Sequence, residues 1–566
     1  MTGTVPRLIA RAAPPAAVRS DVVSSTSDAV IELLHAVGVR SVYGIVGGGI
    51  APFADVLGRS TLRFFAMRHE GGAAFAACEA SVAAGRPTAV MTTTGPGLTN
   101  ALTGILAARS EGAHVIVISA CTTPRQRGRY AVQEMSEHAL ASPSALPSAF
   151  DLAVTIERPE QLSDVADELV RGLARPQGFV AHLSLSLSAQ RAPFDGRILV
   201  SRRRDAPAPG EESVVTVARA LEEPFAIWAG FGARRASAEL RAFAEKTGAP
   251  VMLTPRGKGV FPEDHPQFLG VTGIGGHDVD ARLAPLGIKR TLVLGTRMGE
   301  FSSCWSDALA PPNGFVHVDV DASVFGAAYP HVTTLPVVAD VRRFLLALTP
   351  HMTTCTKPSA HQSRWETFTA ATSRPVRPQV LMQAIQRVVV DDSDAIVFAE
   401  PGNSFAWANH LLRFSKPSYR LSGYWASMGH MVTGAVGAAL ETARPCVVIT
   451  GDGSMLMQSE LSTAAQYGAP VVWIVLNDAR YGMTEDGMRA QGFTPPETHF
   501  PRVDFVAMAR AVGADGIAVK DESELIDAIA RALEAKGPFV VDVHIDVNER
   551  APFLARVKAL AAMGAP

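Results

Sequence analysis

The chain has 566 residues, which is too long for a single hydrophobic core and predicts roughly three to four domains of ordinary size. Its formal net charge is −2, its pI is about 6.7 and 47% of its residues are hydrophobic, so nothing in its charge favours binding to nucleic acid or to an anionic membrane surface. It has no apolar run of the about 18 residues that a membrane helix needs, and its five scattered cysteines, without a CxxC pair, are typical of buried thiols in a reducing cytosol.

The first element is a lead-in of residues 1–20, which contains arginines and alanines but no long apolar core. We interpret it as disordered, with a transit-type peptide as the alternative. After it, helical stretches alternate with short apolar runs that are typical of buried strands. These runs are SVYGIVG (41–47), TAVMTTTG (88–95), HVIVISA (114–120), TLVLGT (291–296), VVIT (447–450) and VVWIVLN (471–477). Apolar strands joined by helical crossovers predict an α/β fold of doubly wound, mainly parallel sheets.

Two linker-like stretches divide the chain. SRRRDAPAPGEES (201–213) is charged and rich in Pro and Gly, and the stretch 349–375 is polar and without periodicity. They predict three domains, at 21–200, 212–350 and 375–550.

The run VVIT ends in Gly451-Asp452-Gly453-Ser454, and a helix-like stretch then leads to the strand that ends at Asn477. Asp452 and Asn477 each stand at the carboxyl end of a strand, where open α/β sheets bind ligands. If the two strands are neighbours, the side-chain oxygens converge as the hard ligands that Mg²⁺ prefers. Gly453 and Ser454, at the start of the next helix, would offer N–H groups to a diphosphate. An aspartate between glycines is also common in turns, so the prediction depends on its combination with Asn477.

This combination resembles the signature of the thiamine diphosphate (ThDP) enzymes. The resemblance implies ThDP and Mg²⁺ as cofactors, with the backbone carbonyl of Ala479 as a third metal ligand beside Asp452 and Asn477. The stretch VFAEPGNSFAW resembles the family's turn that touches the diphosphate. It adds three cofactor-binding residues: Gly402, Asn403 and Ser404.

Two further stretches resemble the family's cofactor-activating segments. MRHEGGAAFAACEASVAAGRPTAVMTTTGPGLTN (67–100) implies Glu70 as the acid that acts on the cofactor's aminopyrimidine ring, and Pro96 as cofactor-binding. LSGYWASMGHMVTGAVGAAL (421–440) implies Met428 as the apolar wedge that keeps the cofactor bent, with backbone groups of Ala426 and Met428 bonding the aminopyrimidine. In this family the cofactor lies between the first domain of one subunit and the third domain of another, which implies a homodimer or homotetramer.

The layout over about residues 28–546 is similar to that of the acetolactate synthases, pyruvate oxidases and 2-oxo-acid decarboxylases. YGIVGGGIAPFADVL (43–57), VQE (132–134) and RYGM (480–483) are similar to acetolactate synthases. The resemblance implies that Gly48 lies near the thiazolium and that Gln133 points at the substrate. The central domain resembles the family's Rossmann-like domain, which binds FAD in some members; FAD is possible here, but we do not expect it to be essential.

Four positions depart from the acetolactate synthase pattern and are expected to shape the substrate pocket. Val132 replaces a Phe, Gly487 replaces a Trp, and Tyr424 and Trp425 stand where the family usually has Gly. Because large aromatic side chains each bury on the order of 150–250 Å², the loss of the Phe and the Trp should open the pocket. His430 resembles a position in decarboxylases of phosphonate and sulfonate oxo acids and is a candidate acid/base group; the alternative is an ordinary histidine at a helix start.

We therefore expect a cytoplasmic, ThDP-dependent 2-oxo-acid decarboxylating carboligase that joins a small-molecule 2-oxo acid donor to a carbonyl acceptor. The departures favour a larger or less usual partner than in branched-chain amino-acid synthesis. Glu70, Gln133 and His430 are the catalytic candidates. Two alternatives stay open: a simple non-oxidative 2-oxo-acid decarboxylase, and a non-catalytic ThDP-binding regulatory subunit.

Overall fold

The computed structural model describes residues 24–135, 149–195, 206–355, 367–372, 375–457, 459–553 and 557. These residues form three six-stranded sheets, in which neighbouring strands pair in parallel. The predicted α/β fold with three mainly parallel sheets is therefore confirmed. The predicted lead-in, residues 1–20, lies outside the described residues. Nowhere in the described ranges does a helix combine the length and apolar composition that crossing a membrane requires.

The first sheet has the strand order β2-β1-β3-β4-β6-β5. Its strands are β1 Ser41–Gly44, β2 Arg63–Ala66, β3 Thr88–Thr92, β4 His114–Cys121, β5 Leu152–Ile156 and β6 Phe179–Ser186. Its helices are α1 Thr26–Ala36, α2 Ala51–Arg59, α3 Glu70–Ala84, α4 Pro96–Glu111, α5 Leu162–Leu173 and α6 Leu187–Arg191. Alternate strand residues enter two separate cores, Val42 and Met91 on one face and Tyr43 and Val90 on the other. Helices therefore cover both faces of this sheet, as the continuous apolar strands predict.

The central sheet has the strand order β12-β11-β10-β7-β8-β9. The strand order changes direction between β7 and β10, as it does in a Rossmann-like sheet. Its strands are β7 Phe225–Ala229, β8 Val251–Leu253, β9 Phe268–Val271, β10 Arg290–Leu294, β11 Phe315–Asp319 and β12 Thr334–Val338. Its helices are α7 Glu211–Ala220, α8 Ser237–Thr247, α9 Val279–Leu283, α10 Glu300–Ser303 and α11 Val341–Leu348. Helix α7 begins inside the stretch 201–213 that the sequence predicts as a linker, since Glu211 and Glu212 favour a helix N-terminus. Residues 201–205 of that linker, and 356–366 and 373–374 of the second, lie outside the described residues.

The third sheet has the order β14-β13-β15-β16-β18-β17, which repeats the order of the first sheet. Its strands are β13 Ile396–Ala399, β14 Tyr419–Leu421, β15 Cys446–Gly451, β16 Val471–Asn477, β17 Asp515–Val519 and β18 Phe539–His544. Its helices are α12 Pro378–Ile385, continued by a π-helical turn at Gln386–Asp391, α13 Asn403–Leu411, α14 His430–Thr442, α15 Asp452–Met455, α16 Leu461–Tyr467, α17 Gly482–Ala490, α18 Phe505–Ala511 and α19 Leu525–Glu534.

Two local predictions from the sequence are wrong. The stretch after Gly453 was expected to form one helix, but α15 ends at Met455 and α16 starts only at Leu461. The break allows Glu460 to turn its buried carboxylate toward the first domain, where it accepts hydrogen bonds from backbone N–H groups. All five cysteines are free, yet Cys304 and Cys355 are partly exposed rather than buried.

Helices α3 and α14 join the first and third domains at very close range. A Cβ added at Gly437 would lie 2.0 Å from the carbonyl oxygen of Ala76, and one added at Gly434 would lie 2.5 Å from Cγ of Glu79. Backbone therefore packs against backbone at Gly437, and Gly434 leaves room for the Glu79 side chain, which only residues without a side chain permit.

Gly437→Ala tests this packing. Because the added methyl group meets backbone that cannot move aside, we expect overpacking to cost about 1–3 kcal/mol and to lower the midpoint of thermal unfolding. Gly58→Ala is the matched control, since no atom lies within 4 Å of a Cβ at that exposed position of α2. It should leave the midpoint unchanged or raise it slightly, because Ala is the better helix former. Equal midpoints for Gly437→Ala and the wild type would contradict the close approach of the two helices.

Candidate functional site

A cleft opens at the carboxyl ends of β13, β15 and β16. Three turns line it, at residues 401–404, 451–454 and 480–484, and each turn leads into a helix. Helix N-termini present N–H groups and a partial positive charge. Their convergence on one cleft creates an environment suited to a polyanion such as a diphosphate.

The turn 401–404 has two features that suit a ligand. Gly402 has a φ of 133°, a backbone conformation that favours glycine. The buried side-chain oxygen Oδ1 of Asn403 has no hydrogen-bond partner among the described residues, although a buried acceptor normally has one. Ser404 uses its hydroxyl to donate to the Glu400 carbonyl at 2.7 Å and so fixes the turn on the end of β13.

Asp452 lies at the base of the cleft and is only 2% exposed. Its Oδ1 accepts a hydrogen bond from the Gly453 N–H at 2.7 Å, and its Oδ2 accepts one from the Ala479 N–H at 2.6 Å. Burial, together with the nearby carboxylate of Asp478, raises the pKa of Asp452 to about 7. A cation bound here would favour the ionised form, which makes the position suitable for a metal ligand.

Asn477 ends β16 and is fully buried. Its amide nitrogen donates to Asp542 Oδ1 at 2.8 Å and to the Val503 carbonyl at 3.0 Å, so the amide orientation is fixed by both bonds. Its Oδ1 accepts a hydrogen bond from Arg502 at 3.1 Å. Sequence reasoning missed Arg502, because nothing in its local sequence indicates that it reaches the end of β16.

The backbone at Ala479 completes this end of the cleft. Ala479 has a φ of 59°, which is uncommon for a residue with a side chain and is often found at functional sites. Since β15 and β16 are neighbours in register, the bond from Ala479 to Asp452 joins the two turns. The structure therefore brings together the three residues that the sequence assigns to the metal.

Met428 lies beside the same cleft. Its terminal methyl group would be 3.5 Å from a Cβ placed on Gly453, so the side chain covers the turn after β15. Two residues earlier, Ala426 has a φ of 48° and donates its N–H to Ser422 Oγ at 3.1 Å.

A buried carboxylate, which sequence reasoning missed, holds the Met428 turn in place. Glu400 accepts hydrogen bonds from the N–H groups of Gly429, Met431 and Val432 at 2.5, 2.7 and 2.9 Å. Burial raises the pKa of Glu400 to about 7, although these three N–H groups oppose the shift. Glu400 thus ties the start of α14 to the end of β13.

A second cluster lies at the carboxyl ends of β1 and β3 in the first domain. Glu70, the first residue of α3, is buried and accepts a hydrogen bond from Asn100 on α4 at 3.1 Å. Gln133 contacts the same end of the domain, since its Oε1 accepts a hydrogen bond from the Thr94 hydroxyl at 3.1 Å.

The other two predicted residues of the first domain lie at this edge of the sheet. Gly48 begins a 3-10 turn after β1, and its neighbour Gly49 lies against Thr94. Pro96 begins α4, directly after Gly95, whose Cβ would lie 2.9 Å from the Gln133 carbonyl oxygen.

Among the described residues of one chain, the two clusters do not share a cleft. The described residues that line the cleft around Asp452 all belong to the range 378–549, and neither Glu70 nor Gln133 is among them. A single copy of the chain therefore presents two separate half-sites.

The residues predicted to shape the substrate pocket are dispersed. Val132 is 92% exposed, and Trp425 is about half exposed. The ring of Tyr424 faces the central domain, where the Arg297 guanidinium lies 5.1 Å from its centroid. Gly487, on α17, faces Phe553, whose ring would lie 3.9 Å from a Cβ at that position. The ring of Phe553 thus borders the space that a missing side chain at Gly487 was expected to open.

His430 is the first residue of α14 and is not among the described residues that line the cleft around Asp452. It is fully buried between α3 and α14, stacks on Phe75 with 4.8 Å between ring centroids, and has its Nε2 3.2 Å from Glu79 Oε1. Glu79 also forms a two-bond ion pair with Arg420, each bond being 2.9 Å long. Burial alone would raise the pKa of Glu79, but Arg420 and His430 outweigh it and hold that pKa well below its usual range. The structure therefore gives His430 an aromatic neighbour and a carboxylate neighbour, and its role as an acid/base group stays a prediction.

Comparisons with known proteins match the whole domain series. Three family models fit the chain in order: the thiamine pyrophosphate enzyme N-terminal TPP binding domain at residues 24–140, the central domain at 217–348 and the C-terminal TPP binding domain at 400–543. The YdaP protein of Bacillus subtilis (strain 168), which carries the provisional description of a thiamine pyrophosphate-containing protein, is 31% identical over 92% of this chain and 92% of its own length.

Two further relatives agree with this match. Acetolactate synthase isozyme 1 large subunit of Escherichia coli (strain K12) is 26% identical over 92% of this chain and 94% of its own. An X-ray structure of an enzyme from Mycobacterium smegmatis, provisionally described as thiamin diphosphate-dependent, has a TM-score of 0.79 at 23% identity and covers 92% of this chain and 99% of that chain. The latter likeness supports the three-domain fold.

Glu79→Gln tests the buried ion pair between the first and third domains. It would leave the Arg420 guanidinium buried, with Glu111 3.7 Å away as the remaining carboxylate. Breaking a buried pair from one side costs about 3–5 kcal/mol, so the midpoint of urea or thermal unfolding should fall clearly. Asp55→Asn, which removes an exposed ion pair with Arg59 in the same domain, is the control and should change the midpoint little.

The pH dependence of this effect has a defined sign. Because the folded-state pKa of Glu79 is lowered, its stabilisation is present above the ordinary glutamate pKa and is lost as the pH falls through the folded value. The difference between wild type and Glu79→Gln should therefore persist at neutral pH. A neutral-pH midpoint that matches the wild type would show that Arg420 does not depend on Glu79.

Proposed function

The chain belongs to the thiamine pyrophosphate enzyme family and is acetolactate synthase-like, and from this premise we propose that it is a decarboxylating carboligase that joins a 2-oxo acid donor to a carbonyl acceptor. The observation that carries the proposal is the cleft in which three helix N-termini and the buried Asp452 converge. Addition to the carbonyl of the acceptor would give a 2-hydroxy ketone or a 2-hydroxy-3-oxo acid.

The residues of the cleft fit a diphosphate held with its cation. Backbone N–H groups of Asn403, Ser404 and Ser454 would bind the phosphate oxygens, since all three stand at helix starts. The Gly453 N–H, which the sequence also assigns to the diphosphate, donates to Asp452 Oδ1 instead. The buried Oδ1 of Asn403 has no hydrogen-bond partner among the described residues and, as an acceptor, would take a donor group or the cation of the ligand rather than a phosphate oxygen. These features are the reason to assign the diphosphate of ThDP to this cleft.

Mg²⁺ would be held by the carboxylate of Asp452, the amide oxygen of Asn477 and the carbonyl of Ala479. Mg²⁺ requires oxygen ligands in near-octahedral geometry and commonly takes phosphate oxygens to complete its shell. Asp452 is buried and faces the carboxylate of Asp478, so a cation bound between them and the ligand would offset the cost of ionising Asp452. Arg502 would have to share the Asn477 oxygen with the metal or release it.

When bound, ThDP supplies the nucleophilic carbon that attacks the 2-oxo acid and the ring that accepts the electrons left by CO₂. Glu70 would hold a proton at the aminopyrimidine ring, and its burial keeps water from competing for that contact. Met428 would support the cofactor from below, because it covers the Gly453 turn. Gln133 would orient the substrate through its side-chain amide.

The separation of the two half-sites favours an assembly of at least two copies. Glu70 does not line the cleft that contains Asp452, so the first domain of a second copy would complete it. Large apolar side chains stand exposed in the turns near both half-sites: Val46, Tyr130 and Val132 in the first domain, and Leu456, Met457 and Tyr481 in the third. Exposed apolar side chains at such places are typical of surfaces that a partner covers.

The acceptor is proposed to be larger than in acetolactate synthesis. Val132 lacks the bulk of a Phe, whereas Phe553 already borders the position of Gly487. We therefore assign the extra room chiefly to the Val132 side of the pocket. The proposal gives no role to FAD.

A donor-by-acceptor screen with Mg²⁺ and ThDP, read by mass spectrometry, tests the function. We expect CO₂ release from at least one 2-oxo acid and a coupled product when a second oxo acid or an aldehyde is present. In Glu70→Gln the rate should fall about 10²–10⁴-fold, as for loss of a general acid or base. Glu32→Gln, an exposed carboxylate in α1, is the control and should keep the wild-type rate.

The outcomes of the screen separate the alternatives. CO₂ release without any coupled product would indicate a simple decarboxylase. No turnover with any donor would indicate a non-catalytic ThDP-binding protein. Near wild-type rates in Glu70→Gln would refute the role of Glu70.

Asp452→Asn tests the cation site independently of the substrate. In the wild type, saturating Mg²⁺ and ThDP should raise the midpoint of thermal unfolding, because a ligand at 100 times its Kd stabilises the folded state by about 2.7 kcal/mol. Asp452→Asn should lose most of this shift, since a neutral amide is a weaker Mg²⁺ ligand. The matched control is Asp527→Asn, an exposed carboxylate of α19 in the same domain. An undiminished shift in Asp452→Asn would place the cation elsewhere.

A further inference from the structure

Glu460 stands in the break between α15 and α16 and is only 1% exposed. It belongs to the third domain, but its carboxylate reaches the segment that leads into α3. Oε1 accepts hydrogen bonds from the backbone N–H groups of Arg68 at 3.1 Å and His69 at 3.0 Å, and Oε2 lies 3.2 Å from the same Arg68 nitrogen. These two residues directly precede Glu70.

The first turn of α3 is shaped around this carboxylate. A Cβ at Gly72 would lie 2.4 Å from Oε1 and 2.9 Å from Cγ of Glu460. Because Gly72 has no side chain, it leaves the space that the side chain of Glu460 fills. The hydrogen bonds and the missing side chain are two independent signs that α3 begins against Glu460.

Helix α16 supports Glu460 and holds the same segment through other bonds. Thr463 donates its hydroxyl hydrogen to Oε2 of Glu460. The Tyr467 hydroxyl accepts a hydrogen bond from the Ala66 N–H at 2.8 Å, and the Arg68 side chain donates to Gln466 at 2.6 Å. Residues 66–69 are thus docked along one helix of the third domain.

We propose that Glu460 is a positioning residue for Glu70, holding the backbone of Arg68 and His69 so that the carboxyl group of Glu70 keeps the place its chemistry requires. This inference rests on the proposed function. Glu70 is the first residue of α3, and its own backbone follows directly from the two N–H groups that Glu460 binds. The carboxylate is needed because three donors converge on its two oxygens, the N–H groups of Arg68 and His69 and the Thr463 hydroxyl, whereas an amide has only one oxygen to accept them.

The electrostatic setting of Glu460 agrees with this role. Burial raises the pKa of its carboxyl, while Thr463 and the N–H groups of Arg68 and His69 oppose the rise. Burying a charged carboxylate without hydrogen-bond donors costs free energy. The charge of Glu460 and its hydrogen bonds to Thr463, Arg68 and His69 therefore depend on each other.

The experiment compares Glu460→Gln with Tyr467→Phe in the full-length protein. Gln keeps the size of the side chain but turns an N–H₂ group toward a backbone donor. In Tyr467→Phe, α16 loses the hydroxyl that accepts the hydrogen bond from the Ala66 N–H. Ala66 lies four residues before Glu70, so this variant serves as the matched structural control. Each variant changes one side chain of the third domain that contacts residues 66–69.

Three quantities are measured for each variant. The first is amide hydrogen–deuterium exchange of the peptide covering 66–72, without added cofactor. The second is the Kd of ThDP in the presence of Mg²⁺. The third is the pair kcat and KM for the best donor of the screen.

In Glu460→Gln we expect amide exchange at residues 68–69 to be about tenfold faster or more, since a local hydrogen bond is lost. We expect kcat to fall on the order of 10–100-fold, the size of effect that small misplacements of a catalytic group have, with KM and the ThDP Kd within about threefold of wild type. Tyr467→Phe should keep kcat within about threefold, although its exchange at Ala66 increases.

Unchanged exchange at residues 68–69 in Glu460→Gln would overturn the inference, and so would a kcat equal to that of Tyr467→Phe. A parallel loss of kcat and ThDP affinity would also overturn it, because it would indicate damage to the third domain's own cleft. If the wild type shows no ThDP-dependent turnover at all, the proposed function fails, and the exchange data alone decide whether Glu460 holds the segment.

Discussion

The close contact between α3 and α14 is the constraint on which the site depends. Gly437 lies against the backbone of Ala76 and Gly434 against the side chain of Glu79, whose buried ion pair with Arg420 lies beside them. Each helix begins next to a residue with a proposed role, Glu70 at the start of α3 and Met428 two residues before α14. A change in the helix contact would therefore displace both residues, because a helix moves as a rigid body.

Four buried carboxylates show how surroundings separate structural from ligand-binding roles. Glu79 is matched by cations, and its pKa falls. Glu400 and Glu460 are matched mainly by backbone N–H groups, and burial raises the pKa of each. Asp452 also accepts two backbone N–H groups, but it lines the cleft and faces Asp478. It is the one of the four whose remaining charge is directed at a space where a cation could bind.

The sequence predicts the fold and much of the site because these depend on local patterns. Continuous apolar strands give the parallel sheets, and a strand end marks the places of Asp452 and Asn477. Glu400 and Glu460 could not be predicted, because their partners lie 29 and 391 residues away along the chain. Phe553 escapes prediction for the same reason, since only the folded chain brings it to Gly487. The burial of His430 depends on the packing of two domains, which a local motif does not encode.

The shared strand order of the first and third sheets explains why the two half-sites are built from a similar series of strands, turns and helices. In both sheets the first strand leads into a turn that contains glycine, at Gly48 and at Gly402, and the second strand leads into α3 or α14. The third strand leads into α4 in one domain and into the GDG turn with α15 and α16 in the other. The single helix α4 thus corresponds to a broken pair, and the break is what frees Glu460 to reach the first domain. The described part of the first sheet has no such break. In the third sheet, the break connects the GDG turn of one half-site to the segment that carries the Glu70 carboxylate of the other.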